Sequence, residues 1–463
     1  MNEVVGFFRL SKPQGIWFDS AYITTVTPPM VMTPHIMKDG KNMEQRSHVC
    51  SALSIVHPLE LVRGVNAKVY DSQQREYIDF VGGIGVLNLG HCHPRIVAAI
   101  TEQATQLTHS AFNAVPHRPY LQLVDALSAF VPTHTPFDVL LTNSGAEATE
   151  NALKIARLKT RRTAVIAFDG GFHGRTLAAV NLNGKVAAYK TQLGPLPGPV
   201  YHIPYPSADN EVTVAQAQAA LERIISVEVD VNEVAAIIAE PVIGEGGFHV
   251  LHPEFAQYLR AFCDQHGIAL IWDEIQSGFA RTGKRFAFEH LGVEPDLLLL
   301  GKSIAGGLPL GAVMGSPAWM DGLPKGSLGG TFSGNALACA AALATVEILS
   351  DDSALANMAH AYEQAVLTHY QHWREQGLPV GRITGVGTMR GIELVDGAGK
   401  PNPVLLGKVL QAAREQGLLL MPAGKYRHVI RLLAPLTTEA EVMEQGLQRL
   451  GAVLAQCSAD VTV

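Results

Sequence analysis

The sequence is poor in cysteine, modest in charge and without a long apolar run. Its five cysteines, Cys50, Cys92, Cys263, Cys339 and Cys457, are scattered and show no CxxC spacing. That argues against a disulfide framework and a zinc ribbon and points to a reducing compartment, the cytoplasm. No apolar run reaches the length that spans a bilayer, so no membrane association is expected. The first residues lack a basic segment followed by an apolar stretch, which argues against a secretory leader. Net charge is −7 and no dense Lys/Arg patch is interleaved with aromatics, so nucleic acid is not an expected partner. Internal repeats and low-complexity tracts are missing too. What is present is 463 residues, 47% of them hydrophobic, enough for two or three domains around a large core.

Residues 1–42 are irregular, with Pro13, Pro28, Pro29 and Pro34 and no sustained period, and read as a loose arm or a misassigned start. Deleting them is expected to leave activity intact. The stretch from Lys68 to Gly83 reads as two short strands around a polar turn. A glycine-rich loop, GGIGVLNLGHCHP, follows, and Pro94 opens a helix. Strands are then expected at Val139–Leu141, Val165–Phe168, Ala235–Ala239, Ile268–Trp272 and Leu297–Leu300, alternating with helices such as Ala146–Leu158 and Pro253–Gln265. This alternation predicts an α/β fold with a mainly parallel sheet covered on both faces. The alanine-rich segment Ala336–Leu349 predicts a long helix, and the chain beyond about Ser353 an α+β end.

Two short apolar runs end in charge. Ile268–Trp272 leads into Asp273, and Leu297–Leu300 leads through Gly301 into Lys302. Runs of this kind fit buried parallel strands, whose carboxyl ends line the ligand crevice of open α/β sheets. A carboxylate and an amine facing one crevice suit pyridoxal phosphate, whose aldehyde bonds a lysine and whose ring nitrogen pairs with an acid. Either residue alone is more often a cap or a surface charge. Gly301-Lys302-Ser303 also ends a phosphate-loop signature, but the glycine required five residues earlier is Asp296 and four leucines intervene, so a nucleotide hydrolase is rejected.

Other motifs are ambiguous singly. Ser144 and Gly145 stand at a strand-to-helix turn, where free N–H groups and the helix dipole favour a phosphate or where serine is simply a cap. In GGFHGRT, an aromatic could stack on a flat ring and Arg175 could hold a carboxylate. Glu240 and Glu245 in EPVIGEGG could be an acid and base of glycoside hydrolysis, a weak signal across a loop. His91 and His93 have no further ligands nearby and read as structural. GGTFSGN places Thr331 and Ser333 among glycines, either a phosphate cup or a flexible connection.

In order, TNSGAEATENALKIAR, GGFHGRT, EPVIGEGG, WDEIQSG, GKSIAGG, GGTFSGN and VIRLLAP closely resemble the class III aminotransferases, and among them the 4-aminobutyrate aminotransferases, from about Glu44 onward. The resemblance implies fold type I, with a large cofactor domain and a small α+β domain formed by both chain ends. The expected borders are 1–42 for the arm, 43–95 and 346–463 for the small domain, and 96–345 for the large one. It implies pyridoxal 5′-phosphate bonded to Lys302, with Asp273 on the ring nitrogen, Gln276 near the ring hydroxyl, and Phe172 stacked with His173 beside it. Ser144, Gly145 and Ala146 would cup the phosphate, Glu240 would belong to the cofactor site, and Thr331 would reach the phosphate of a neighbouring subunit. A homodimer, or a dimer of dimers, is thereby implied. For substrates it implies Ile84 at the pocket, Arg175 on a far carboxylate, Arg431 on an α-carboxylate, and Glu245 as a gate that pairs with Arg431 when the donor has none. The implied reaction moves the amino group of 4-aminobutyrate to 2-oxoglutarate, giving succinate semialdehyde and glutamate by a ping-pong route. Donors such as 5-aminovalerate, β-alanine or ornithine are alternatives. An amino-acid epimerase is a weaker one, disfavoured by Arg431 with Glu245, and a non-catalytic protein would be expected to lose Lys302 or Asp273. Ile243, where the family usually has glutamine, and SALSIVHPLE at 51–60 are departures that bear on the donor.

Overall fold

The computed structural model describes residues 48–185 and 189–459. The expectation for residues 1–42 lies outside them. Residues 48–59 form a short unit of turns, with the Leu53 N–H donating to the Cys50 carbonyl.

The rest of the chain is built on a seven-stranded sheet. Its strands run, edge to edge, Asp138–Thr142, Gly311–Gly315, Leu297–Leu300, Ala269–Asp273, Val234–Ala239, Ala164–Phe168 and Val200–Ile203. Gly311–Gly315 is antiparallel to both neighbours, and every other adjacent pair is parallel. The alternation of side chains along each strand sorts the sheet into two cores. Leu297, Leu299, Ile271 and Ile238 face one way, onto Ala148, Ala152 and Ile155 of the helix Gly145–Thr160. Leu298, Leu300, Trp272 and Ile237 face the other, onto the helices Arg118–Phe130, Pro253–His266 and Ala336–Ile348. This two-sided burial explains why the leucine run has no polar alternation. Each of its four side chains is wholly buried, worth roughly 1.5–3 kcal/mol apiece.

A further core unites the two ends of the described chain. Ala67, Ile78 and Phe80 pack with Trp373, Val409, Leu418, Ile430 and Leu450. Leu61–Val65, Lys68–Asp71 and Glu76–Asp79 form a sheet completed by Leu418–Leu419, which runs parallel to Glu76–Asp79. Val380–Val386, Met389–Leu394, Val429–Leu432 and Met421–Ala423 form an antiparallel sheet beside it. The architecture is the mainly parallel large body with a smaller α+β body from both ends that the motifs imply. No helix among the described residues is long and apolar enough to cross a membrane.

Candidate active site

The carboxyl ends of the parallel strands share one edge of the large sheet, and the expected residues gather there. Thr142 leads to Ser144, Gly145 and Ala146; Phe168 to Phe172, His173 and Arg175; and Ala239 to Glu240 and Glu245. Asp273 ends its strand, with Gln276 just beyond, and Leu300 leads to Lys302. Arg431 is contributed by Val429–Leu432 of the smaller body.

At the acidic end, Asp273 is buried and fixed on both oxygens. Its Oδ1 accepts the Ile275 N–H at 3.1 Å, and Oδ2 lies 2.7 Å from Nδ1 of His173. The His173 backbone is itself held, donating its N–H to Asn183 Oδ1 at 2.7 Å. Burial alone would lower the imidazole's affinity for a proton, but the hydrogen bond and charge of Asp273, with Glu240 behind it, raise it above the ordinary histidine value. Glu240 uses its two oxygens on the backbone, accepting the N–H groups of Phe172 and Gly244 at 2.9 Å each, and so ties two loops together. Burial, opposed by His173 and reinforced by Asp273, pushes its carboxyl above the usual range.

Lys302 opens a turn of 3₁₀ helix with φ 43°, a left-handed conformation that costs a non-glycine residue about 1–3 kcal/mol and is found where a site demands it. Burial lowers its amine below the usual lysine value against the pull of Glu240, Asp273 and Glu245. The same tightness explains Gly145. A Cβ there would lie 2.7 Å from Ile275 Cδ1, so glycine lets the helix start lie beside Gly301 without displacing the Ile275 side chain. Ser144 caps that helix, accepting the Glu147 N–H at 3.2 Å, and remains exposed. As in any helix, the first-turn N–H groups of Gly145 and Ala146 have no acceptor within the helix, which makes this end suited to an anion.

At the basic end, Arg431 is buried, with two of its three guanidinium nitrogens engaged. Its Nε donates to the Pro422 carbonyl at 3.0 Å and its Nη2 to Glu245 Oε1 at 2.6 Å, while Nη1 is buried without a partner. Burial would raise the Glu245 carboxyl, but Arg431, and beyond it Lys302 and Lys185, hold it below the usual range. Tyr189 Oη lies 3.5 Å from Glu245 Oε2. The Tyr189 ring packs against Phe172, centroids 5.3 Å apart, and carries the exposed Arg175 guanidinium at 5.0 Å. Arg175 and the Glu245–Arg431 pair therefore border one space. Ile84, 41% exposed, sits in a left-handed turn with φ 63°, and the Gly85 carbonyl next to it accepts the Ser303 hydroxyl at 3.2 Å. That turn thus lies beside the lysine segment.

Thr331 is exposed, beside the exposed Phe332, on the loop before the Ala336–Ile348 helix, and Ser333 of the same loop accepts from Asn143 Nδ2 at 3.5 Å, next to Ser144. His91 pairs with Asp79 at 2.8 Å, and among the described residues no group of three His, Cys, Asp or Glu side chains could hold a metal ion. Tyr189 and Asn183 were not anticipated. Tyr189 stands in a polar irregular stretch with no motif. Asn183 acts only through the fold of the GGFHGRT loop, holding the His173 N–H and donating to the Gly174 carbonyl.

A sheet-end crevice with a strained lysine, an acid backed by histidine, an open helix N-terminus and a buried arginine defines an amino-group-handling site. The chain belongs to the class-III aminotransferases, whose family pattern matches residues 51–454. It is 61% identical over 421 residues to the 2-aminoadipate transaminase of Pseudomonas putida strain KT2440, covering 90% of this chain and all of that one. It is 41% identical over 425 residues to the 4-aminobutyrate aminotransferase GabT of Escherichia coli K12, covering 91% and 99%. Among solved structures it resembles a PLP-bound amine transaminase from an uncultivated Pseudomonas species, with TM-score 0.82, 29% identity, and coverage of 90% and 100%. The cofactor is pyridoxal phosphate, and this chain's residues fit it. Gln276 Oε1 and His173 Nε2 are buried without partners at the same edge as Lys302 and the open helix end.

Proposed function

We propose that this enzyme moves the amino group of 2-aminoadipate to 2-oxoglutarate, giving 2-oxoadipate and glutamate in two half-reactions. The observation that carries the reading is the unpartnered buried Nη1 of Arg431, next to an Nη2 already engaged by a carboxylate. Such a guanidinium suits the α-carboxylate of an α-amino acid, which would engage it bidentately in place of Glu245. The 61% identity to a relative named for 2-aminoadipate supports the donor. The distal carboxylate falls to Arg175, whose exposed side chain can follow a donor one methylene longer than glutamate. One methylene changes affinity by only about 1–3 kcal/mol, so one site serves both chain lengths.

When bound, pyridoxal phosphate supplies the electron-withdrawing ring that stabilises a carbanion beside the amine. Lys302 Nζ takes the proton from the amine-bearing carbon of the donor and, in the second half-reaction, gives one to the keto carbon of 2-oxoglutarate. Asp273, oriented by His173, would hold the proton of the ring nitrogen. Gln276 would meet the ring hydroxyl, Phe172 would cover the ring, and Ser144, Gly145 and Ala146 would receive the phosphate. Glu240 holds the Phe172 and Gly244 loops in place. Ile84 shapes the mouth. The exposed Thr331 supports a homodimer in which it reaches the neighbouring subunit's phosphate.

The Glu245–Arg431 pair favours a second reading, with 4-aminobutyrate or 5-aminovalerate as donor. Neither has an α-carboxylate, and Glu245 would keep Arg431 neutralised while they react, avoiding a costly unpaired buried charge. A panel of donors other than glutamate, each with 2-oxoglutarate and followed by glutamate formation, separates the two. The first reading expects kcat/KM for 2-aminoadipate at least tenfold above that for 4-aminobutyrate or 5-aminovalerate. The reverse order would replace it with the second.

A further inference from the structure

Glu245 also borders a cavity of 380 Å3 whose lining includes Lys185, Lys425, Ile243 and Asp169 but not Arg431. Neither lysine has a carboxylate partner among the described residues. The Lys425 segment is tied to the gate itself, because the Gly424 N–H donates to the Glu245 carbonyl at 3.0 Å. Ile243 is buried and gives the cavity wall no hydrogen-bonding side chain.

This arrangement answers a question that the reading above leaves open, and it rests on that reading: where does the Glu245 carboxylate go when a substrate carboxylate takes Arg431? Two carboxylates brought to the same guanidinium in a partly buried site repel each other strongly, so Glu245 must leave. Tyr189, at 3.5 Å, offers one weak hydrogen bond and no charge. The cavity offers room and two cations, against the single carboxylate of Asp169. A carboxylate moved into a half-enclosed space without a counter-charge would be penalised by desolvation, and with Ile243 in the wall the lysines are the groups that offset this. Lys185 already acts on Glu245 from a distance, helping to keep it ionised.

We propose that this cavity is the second berth of the Glu245 carboxylate, and that Lys185 and Lys425 are positioning residues that receive it when an α-carboxylate occupies Arg431. The lysines thus set how readily the site opens to α-amino and α-keto acids. They act through Glu245 and do not touch the substrate.

The test is a cycle on the full-length holoenzyme, with Lys185→Gln/Lys425→Gln made in the wild-type and in the Glu245→Ala background. The expected result is a five- to tenfold rise in KM for glutamate and 2-oxoglutarate in the wild-type background, with kcat little changed and the visible spectrum of the bound cofactor intact. In Glu245→Ala the same lysine changes should alter KM less than twofold, because no carboxylate is left to receive. An unchanged KM in the wild-type background overturns the proposal. So does an equal rise in both backgrounds, which would place the lysines on the substrate itself. A parent enzyme that uses neither glutamate nor 2-oxoglutarate would instead refute the functional reading on which the proposal rests.

Discussion

Nδ1 of His173 lies 2.7 Å from Oδ2 of Asp273, and both side chains are buried. The acid proposed to pair with the cofactor ring is therefore held by a histidine on a different strand end. Asp273→Asn keeps the shape but removes the charge, and kcat should fall about 10²- to 10⁴-fold with cofactor still retained. Steady-state kinetics beside a cofactor-content assay check this. His173→Phe, which leaves Asp273 charged but unoriented, should lose less, about tenfold.

Lys302→Ala should abolish turnover and remove the visible absorbance of lysine-bound cofactor. An alanine variant that still turns over would refute the assignment of Lys302, whatever the fold resemblance.

Arg175→Ala should raise KM for donors with a distal carboxylate by roughly 10- to 100-fold, the worth of a charge-assisted hydrogen bond, with a smaller change in kcat. Arg175→Lys should recover part of it. Unaltered KM for 2-aminoadipate in the alanine variant would show that the distal carboxylate lies elsewhere.

Glu274 yields a prediction for stability. It is wholly buried, accepts the Phe288 N–H at 2.7 Å and pairs closely with the Ser277 hydroxyl, and burial raises its carboxyl to about 7. Between pH 4.5 and 7 the unfolded chain ionises this group while the folded one keeps it protonated, so stability declines across that window and levels off above it. The decline from this residue is roughly 3 kcal/mol. Glu274→Gln, neutral throughout, should flatten the profile. Thermal unfolding of both proteins from pH 5 to 8 should show the variant gaining on the wild type as pH rises.

The strands that carry the site were legible because their apolar runs are short, continuous and stopped by charge, as at Asp273 and Lys302. Two strands of the same sheet were not. Val200–Ile203 is only four residues, follows a proline- and glycine-rich stretch and contains His202. Gly311–Gly315 is bounded by glycines, which weaken any strand signal, and its reversed direction breaks the βα alternation. At the site, motifs named most residues, and the resemblance named the pairing of Glu245 with Arg431 across 186 residues. Nothing in the sequence indicates that Asp273 meets His173 across 100 residues. Tyr189 was hidden for the same reason, its role arising only where Phe172, Arg175 and Glu245 converge.

The order of strands across the large sheet has a consequence for how the enzyme is made. The Lys302 strand lies between Ala269–Asp273 and Gly311–Gly315, and Gly311–Gly315 in turn joins it to the Asp138–Thr142 strand that leads into the Gly145–Thr160 helix. A fragment ending before Gly311 leaves Asp138–Thr142 without its hydrogen-bonded neighbour in the sheet. Full cofactor capture is therefore expected to follow closure of the sheet, and the colour of the bound cofactor in a refolding experiment would serve as a clock for that event.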